Sequence, residues 1–269
     1  MRLKIATWNI NSVRLRIGLV ERFLRDHQPD ILCLQEIKCV DGSFPTRMFH
    51  SLGYSHIALR GQKGYHGVAT ISKVPFLDVT HRLFCEKDDA RHISVVINGA
   101  QSPVVLHNFY VPAGGDEPDP VINDKFAHKL AFLKEMQSWF ADASAHPLPM
   151  VMVGDLNIAP LETDVWSHKQ LLKVVSHTPI EVEHLDAVRA AHDWVDLVRC
   201  HIPPEQRLYT WWSYRARDWA AADKGRRLDH IWASRALETK CTAAHVVRDA
   251  RGWPQPSDHV PVIAEFDLA

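Results

Sequence analysis

Three short apolar runs, none interrupted by a polar residue, limit most strongly what this chain can fold into. They lie at residues 31–34 (ILCL), 104–106 (VVL) and 150–153 (MVMV). A strand that is buried on one face alternates apolar and polar residues, whereas a short unbroken run is typical of a strand buried on both faces. The runs therefore predict strands that lie between two covering layers.

Further strands and three amphipathic helices are predicted around these runs. The strand candidates are residues 3–9, 67–72, 93–97, 207–212, 227–233, 242–247 and 260–266. The first helix has apolar residues at 13, 17, 20 and 24, with Asn11 or Ser12 as its N-cap. The second spans about 125–140, with Asn123 or Asp124 as its cap, and the third about 182–191.

This mixture of buried strands and amphipathic helices indicates an α/β fold in which helices cover a sheet core. Two sheets packed face to face, with helices outside them, would cover both faces of every apolar strand. We therefore expect a four-layered α/β sandwich of two packed mixed β-sheets flanked by helices. No linker or repeat divides the chain, so one domain over residues 1–269 is expected.

Composition narrows the class of protein further. The chain has 31 basic and 32 acidic side chains, for a formal net charge of −1. No apolar stretch reaches the roughly 18–20 residues of a membrane span, and the first residues do not resemble a secretory signal. Five cysteines, none in a CxxC pair, fit neither a disulfide scaffold nor a structural zinc site. We expect reduced thiols in a cytoplasmic protein that does not contact membranes.

Six segments place polar side chains at the ends of predicted strands, which is how many folds build a site. A single Asp, Asn or His there is usually a turn or cap residue, but the set combines hard oxygen ligands for Mg²⁺ or Mn²⁺ with an imidazole. GxxxxGK[ST] and GxGxxG motifs are absent, which argues against nucleotide-triphosphate and dinucleotide chemistry. Of these kinds of chemistry, the metal-dependent hydrolysis of a phosphoester is the one that remains. The six segments contain Asn9 and Asn11, Glu36, Tyr110, Asp155 and Asn157, Asp229, and Asp258 with His259.

A family resemblance rests on these same segments. TWNINSVR, LCLQEIK, GQKGYHGVA, NFYVPAGG, GDLNIAP, YTWWSYR, RLDHIWAS and PSDHVPV follow one another from Ile5 to Phe266. Together they resemble the exonuclease III family, whose members are Mg²⁺-dependent enzymes of the endonuclease/exonuclease/phosphatase fold that act on DNA at abasic sites. The resemblance implies one catalytic domain of that type over the whole chain.

The resemblance also implies roles for the polar residues. The residues implied to lie at the metal are Glu36 as main ligand, Asn9, Asn11, Asp155, Asn157 and Asp258. Asp155 would orient or deprotonate the attacking water, and Asn157 would hold that water or a phosphate oxygen. Tyr110 and His259 would contact the scissile phosphate, with His259 paired to Asp229. A simple buried salt bridge between Asp229 and His259 is the alternative interpretation.

DNA contacts are implied around this site. Lys38, Gln62, Lys63 and Arg91 lie in segments that match the family's DNA-contacting loops. Arg215 and Arg226 belong to a basic cluster in the last third of the chain that is expected to contact DNA phosphates. An apolar wall for a flipped-out sugar matches Trp211, Trp212 and Leu228. Since adjacent strand residues face opposite ways, one of the two tryptophans is expected to pack in the core. Arg226 departs from the family pattern, because relatives often have an apolar or aromatic residue there. Arg226 is therefore expected to change the shape of the pocket that receives the sugar.

We therefore expect a DNA-repair nuclease that uses Mg²⁺, with Mn²⁺ as a substitute. It would act as a monomer on double-stranded DNA, cutting 5′ to abasic sites and removing nucleotides or 3′ blocking groups as a 3′–5′ exonuclease and 3′-phosphodiesterase. The main alternative is a phosphoesterase of the same fold that acts on lipid or inositol phosphates. An inactive binding scaffold would lack one of the polar residues, and a zinc hydrolase is disfavoured because the 17 histidines contain no HExxH motif.

Overall fold

Two six-stranded sheets form the centre of the molecule in the computed structural model, which describes residues 1–142 and 145–268. The first sheet contains β1 (Arg2–Asn9), β2 (Ile31–Gln35), β3 (His56–Arg60), β4 (Val68–Ser72), β13 (Cys241–Val246) and β14 (Val262–Asp267). Its strand order is β13-β14-β1-β2-β4-β3. Only β1 and β2 pair in parallel, so the sheet is mixed.

The second sheet contains β5 (Phe76–Thr80), β6 (His92–Ile97), β7 (Val104–Tyr110), β8 (Met150–Asp155), β9 (Val195–Asp196) and β12 (Asp229–Ala233). Its order is β5-β6-β7-β8-β12-β9, and β7 and β8 form its parallel pair. A separate two-stranded ribbon pairs β10 (Trp211–Trp212) with β11 (Gly225–Arg226).

Seven α-helices are present in residues 1–142 and 145–268, and the longest of them cover the outer faces of the two sheets. They are α1 (Ile17–His27), α2 (Thr46–Ser51), α3 (Asp124–Ala141), α4 (His168–Leu171), α5 (Pro179–Ala191), α6 (Leu197–His201) and α7 (Trp219–Ala222). Among the described residues, none of these helices is long and apolar enough to cross a membrane.

Strand periodicity divides the core into the expected layers. Ile31 and Cys33 of β2 belong to the cluster between the two sheets, whereas Leu32 and Leu34 belong to the cluster under α1 and α2. A third cluster, which includes Phe132 of α3, covers the outer face of the second sheet. The predicted four-layered sandwich of two mixed sheets is confirmed, and the three apolar runs lie in β2, β7 and β8.

Several predicted boundaries differ from the structure. The first helix begins at Ile17, and Asn11 and Ser12 do not cap it because both have left-handed backbone, with φ of 47° and 86°. Asn123 does cap α3, since its side chain accepts a hydrogen bond from Lys125 N. Of the predicted strand at 207–212, only β10 forms a strand. β3, β5 and α2 were not predicted from the sequence.

Candidate active site

The polar residues at the strand ends meet at one edge of the packed sheets. β1 and β2 run parallel and end side by side, at Asn9 and at the residue before Glu36. In the second sheet Tyr110 and Asp229 flank Asp155 on neighbouring strands. The two sheets join at Asn9, whose Nδ2 donates to Glu36 Oε1 at 2.9 Å and to Asp155 Oδ2 at 2.8 Å.

Unusual backbone conformations aim several of these side chains into the site. Asn11, Glu36, Lys38 and Asn157 have φ between 47° and 56°, in the left-handed region that few residues other than glycine occupy. Each such residue costs on the order of 1 kcal/mol or more, so the surrounding packing has to hold it in place. Strain of this kind is concentrated at functional sites.

Gly154 allows Asp155 to reach its position. Its φ is 141°, and a Cβ on this residue would lie 2.0 Å from the carbonyl oxygen of Phe109. A larger residue would therefore push the end of β8 away from β7.

His259 is held between two carboxylates. Its Nδ1 donates to Asp229 Oδ2 at 2.8 Å, and its Nε2 lies 3.6 Å from Asp155 Oδ2. Thr210 Oγ1 donates to the same Asp229 oxygen at 2.6 Å. Burial alone would lower the pKa of His259, but Asp229 and Asp155 outweigh burial and raise this pKa well above its usual value. The imidazole is therefore a cation at neutral pH.

Asp155 is fully buried and accepts hydrogen bonds on both oxygens. Oδ1 accepts from the backbone N of Asn157 at 2.9 Å, and Oδ2 accepts from Asn9. Burial, together with the Asp229 carboxylate, raises the pKa of Asp155 above its usual range, although His259 opposes this shift. A carboxylate of this kind is basic enough to take a proton from water near neutral pH.

A second cluster of polar side chains surrounds the carboxylate of Glu36. Its Oε1 accepts from Asn9 Nδ2 and from Tyr110 Oη at 2.9 Å, and its Oε2 pairs with Lys38 Nζ at 2.9 Å. Burial would raise the pKa of Glu36, but Lys38 and Asn9 outweigh it and hold the pKa below its usual value. Lys38 Nζ also donates to Asn11 Oδ1 at 2.6 Å. The ammonium group of Lys38 therefore lies among the oxygens of Glu36 and Asn11.

The donor set around Glu36 fits a divalent cation. Carboxylate and amide oxygens are the ligands that Mg²⁺ prefers, and Asp258 adds a carboxylate whose Oδ1 accepts from Asn11 Nδ2 at 3.0 Å. Asp155, Asp229 and His259 also bring ligand atoms within 4.8 Å of one another. A protonated His259 offers no lone pair, however, so the metal fits on the Glu36 side of Asp155.

A cavity of about 560 Å³ opens beside these groups. Glu36, Tyr110, Asn157, Asp258 and His259 line one part of it. Asn157 Nδ2 donates to the Val111 carbonyl at 2.8 Å, which leaves its Oδ1 for a ligand in the cavity. The rest of the wall includes four of the predicted DNA-contacting residues, which are Trp211, Arg215, Arg226 and Leu228.

Other residues predicted to contact DNA lie elsewhere. Trp212 is buried and donates its indole N–H to Asp223 Oδ1 at 3.0 Å, so it is the core-packing member of the tryptophan pair. Arg91 is also buried, pairs with Asp89, and places its guanidinium 4.9 Å from the centre of the Tyr110 ring. It supports Tyr110 and is not free to contact a phosphate.

The loop between β3 and β4 lies next to this support. Gln62 Oε1 contacts His66 Nδ1 at 3.1 Å, and His66 Nε2 contacts Arg91 Nη2 at 2.9 Å. Lys63 is exposed on the same loop. Neither Gln62 nor Lys63 lines the cavity, so any contact they make with a ligand is outside it.

Two residues that support the site were not predicted from the sequence. Thr210 is one, and it had no sequence signal. Lys129 is another: its Nζ is fully buried, pairs with Glu181 and donates to the carbonyl of Asn157 at 2.8 Å. A signal existed for Lys129, because it is a cation within the apolar stripe that includes Phe126 and Leu130 of α3.

Carboxylates, amides and an imidazolium meet at one edge of two packed mixed sheets. This combination of fold and site is typical of phosphoester hydrolases. Comparison with known proteins agrees. The model of the "Endonuclease/Exonuclease/phosphatase family" matches residues 6–259. The chain belongs to this family, as the resemblance of its motifs implied.

Individual relatives are similar over their full lengths. An AP endonuclease from Archaeoglobus fulgidus is 33% identical with a TM-score of 0.90, and the match covers 98% of this chain and 99% of that one. A 3′ phosphatase from Neisseria, solved with a product DNA hairpin, is 30% identical with a TM-score of 0.89, covering 98% and 99%. Exodeoxyribonuclease III of Haemophilus influenzae is 29% identical, covering 98% of this chain and all of that protein.

Proposed function

We propose that this chain is a metal-dependent DNA-repair nuclease. It hydrolyses the phosphodiester 5′ to an abasic site, and it removes nucleotides or blocking groups from the 3′ ends of double-stranded DNA. The observation that carries this proposal is the line of Asp229, His259 and Asp155 beside Glu36, at the edge of a cavity lined by Trp211. Relatives that are similar over their whole length include an AP endonuclease and a 3′ phosphatase.

Asp155 acts on the attacking water. Its two oxygens are oriented by Asn9 and by the backbone N of Asn157, so that it accepts the proton of a water molecule that adds to phosphorus. The bond from phosphorus to the 3′ oxygen of the upstream strand then breaks, and this oxygen takes up a proton from solvent to become a 3′-hydroxyl. Asn157 Oδ1 is available to hold the same water.

Cations and donors stabilise the charge that develops on the phosphate. The imidazolium of His259 stays protonated because Asp229 holds it, and it donates Nε2–H to a non-bridging oxygen. Tyr110 keeps Glu36 in position through its hydroxyl and lines the same cavity. When bound by Glu36 with Asn9, Asn11 and Asp258, Mg²⁺ or its substitute Mn²⁺ supplies Lewis-acid stabilisation of a phosphate oxygen.

DNA is held by the basic and aromatic residues around the cavity. Arg215 and Lys63 are exposed and able to contact backbone phosphates without sequence preference. Trp211 and Leu228 form the wall against which an abasic sugar packs once it leaves the duplex, which costs little because the base is missing. We expect the protein to act as a monomer in the cytoplasm, and its five free cysteines fit a reducing compartment.

The test is cleavage of a labelled duplex that contains one tetrahydrofuran abasic analogue, in Mg²⁺ and in EDTA. We expect one nick 5′ to the lesion in Mg²⁺ and none in EDTA, and removal of a 3′-terminal phosphate under the same conditions. Inositol and lipid phosphates are assayed in parallel. If these are hydrolysed while DNA is neither cut nor bound, the proposal is wrong and the alternative phosphoesterase is correct.

A further inference from the structure

The tryptophans that line the cavity are each covered by a cation. The guanidinium carbon of Arg226 lies 5.1 Å from the centre of the Trp211 ring, and Lys224 Nζ lies 4.6 Å from that of Trp166. All four residues line the cavity. The two tryptophans alone would suggest apolar faces on which a sugar or base could stack. In the structure, a positive charge lies over each of these faces.

Neither cation forms an ion pair with a carboxylate, although Glu181, which pairs with Lys129, partly offsets the burial that lowers the pKa of Arg226. Within residues 1–142 and 145–268, no Asp or Glu lies within ion-pair distance of Arg226 or Lys224. The neighbouring Arg227 is different, since it is buried and pairs with Asp164 and Asp196. Arg226 is partly buried, and an unpaired charge there is costly unless a ligand supplies the opposite charge, whereas Lys224 is exposed to solvent.

The guanidinium of Arg226 is held in one orientation. Its Nη1 donates to the Val175 carbonyl at 2.9 Å and to Ser176 Oγ at 2.7 Å. Ser176 is itself anchored, because its backbone N donates to both carboxylate oxygens of buried Glu181 at 2.9 Å. Nη2 of Arg226 has no hydrogen-bond partner in the described part of the protein, so it is available to a ligand. A pre-oriented guanidinium is well suited to bind a carboxylate or phosphate.

We propose that Arg226, assisted by Lys224, forms an anion subsite that holds a negatively charged group on the 3′ side of the scissile phosphate. This inference rests on the proposed nuclease function. The group is attached to the phosphate and departs with it when the bond to the upstream 3′ oxygen breaks. Two sources share this chemistry: the carboxylate of a small fragment that blocks a 3′ end, and the next phosphate of a continuous strand.

The test compares substrates of equal shape that differ in charge. One pair consists of duplexes that end in 3′-phosphoglycolate or in the neutral 3′-phosphoglycolamide. The other pair contains a tetrahydrofuran site followed by an ordinary phosphate or by a neutral methylphosphonate. For the wild type we expect kcat/KM to favour the charged member of at least one pair by about 10-fold to 100-fold, the size of a charge-assisted hydrogen bond.

Arg226→Gln should remove this preference, because the charged substrate loses more kcat/KM than its neutral counterpart, and Arg226→Lys should restore part of the preference. Arg235→Gln is the matched control, because Arg235 is an exposed cation beyond the opposite end of β12. Equal loss on both members of each pair would mean that Arg226 only supports the wall, and the proposal would be wrong.

The pair that responds identifies the source of the anion. If the wild type cuts all four substrates without a charge preference, the anion subsite is refuted and the nuclease function stands. If the wild type cuts none of them, the proposed function itself fails.

Discussion

Replacing Lys129 with methionine should destabilise the protein strongly. Lys129 and Glu181 are both fully buried and form an ion pair between α3 and α5. Lys129 Nζ also donates to the carbonyls of Asn157 and Ala113, at 2.8 and 3.2 Å, so all three of its N–H groups are used. The Lys129→Met variant keeps the length of the side chain and removes the charge and the donors.

The size of the expected loss of stability follows from the charge of Glu181, which remains buried without Lys129. Glu181 keeps its hydrogen bonds from Ser176 and Thr178, but its charge loses the only cation paired with it in the described structure. Removal of one partner from a buried ion pair costs about 3–5 kcal/mol. For a chain of this size, that loss corresponds to a decrease in Tm of roughly 6–20 °C. The double variant Lys129→Met/Glu181→Gln should recover part of the loss, because no uncompensated charge remains.

Urea unfolding followed by tryptophan fluorescence measures this effect, and an unchanged m value shows that the unfolded states are comparable. Arg235→Met is the control, because its pair with Asp193 is exposed and should contribute less than about 1 kcal/mol. A loss for Lys129→Met no larger than that of the control would refute the reasoning. So would a double variant less stable than the single one.

Three further predictions concern the site and the core. Asp229→Asn should lower kcat by at least about 100-fold with little change in DNA affinity, because His259 loses the carboxylate that keeps it charged; single-turnover rates and binding titrations measure this. Burial lowers the pKa of His107 to about 3 and that of His230 to about 4. Because protonation then favours the unfolded chain, stability is full above pH 6.5 and falls as the pH decreases, by about 1 kcal/mol per histidine between pH 6.5 and 5.5. Unfolding free energies at several pH values check this, and a His230→Leu variant with the same pH slope as the wild type would contradict it. Glu36→Gln should weaken Mn²⁺ binding at least about 100-fold by calorimetry, since the main anionic ligand is lost; an unchanged affinity would move the metal site elsewhere.

The sandwich could be predicted because its central strands are covered on both sides, which leaves a continuous apolar run in the sequence. Boundaries that depend on tertiary contacts could not be predicted. Asn11 and Ser12 have good N-cap side chains, but the site holds both in left-handed conformations and the helix begins at Ile17. At Asn11 and Ser12, tertiary contacts outweigh the local preference of these side chains for the helix N-cap.

The polar residues that the structure brings together at the strand ends were named from their motifs, but the contacts that give them their properties were not predicted. The pairing of Lys129 with Glu181, which supports Asn157, joins positions 52 residues apart. Trp211 and Arg226 were both expected in the pocket, yet only the structure shows the guanidinium over the indole. Such pairs follow from how β10, β11 and α5 pack, and no local pattern in the sequence encodes them.

The central claim is that Asp155 activates water for hydrolysis of a DNA phosphodiester, and one comparison tests it most directly. Single-turnover cleavage of a duplex with one abasic analogue, in saturating Mg²⁺, is measured for the wild type and for Asp155→Asn, together with the Kd of each for the same DNA. For Asp155→Asn we expect a Kd within about 3-fold of the wild type, or tighter, and a cleavage rate at least about 100-fold lower. Cleavage by Asp155→Asn within 10-fold of the wild type would contradict it.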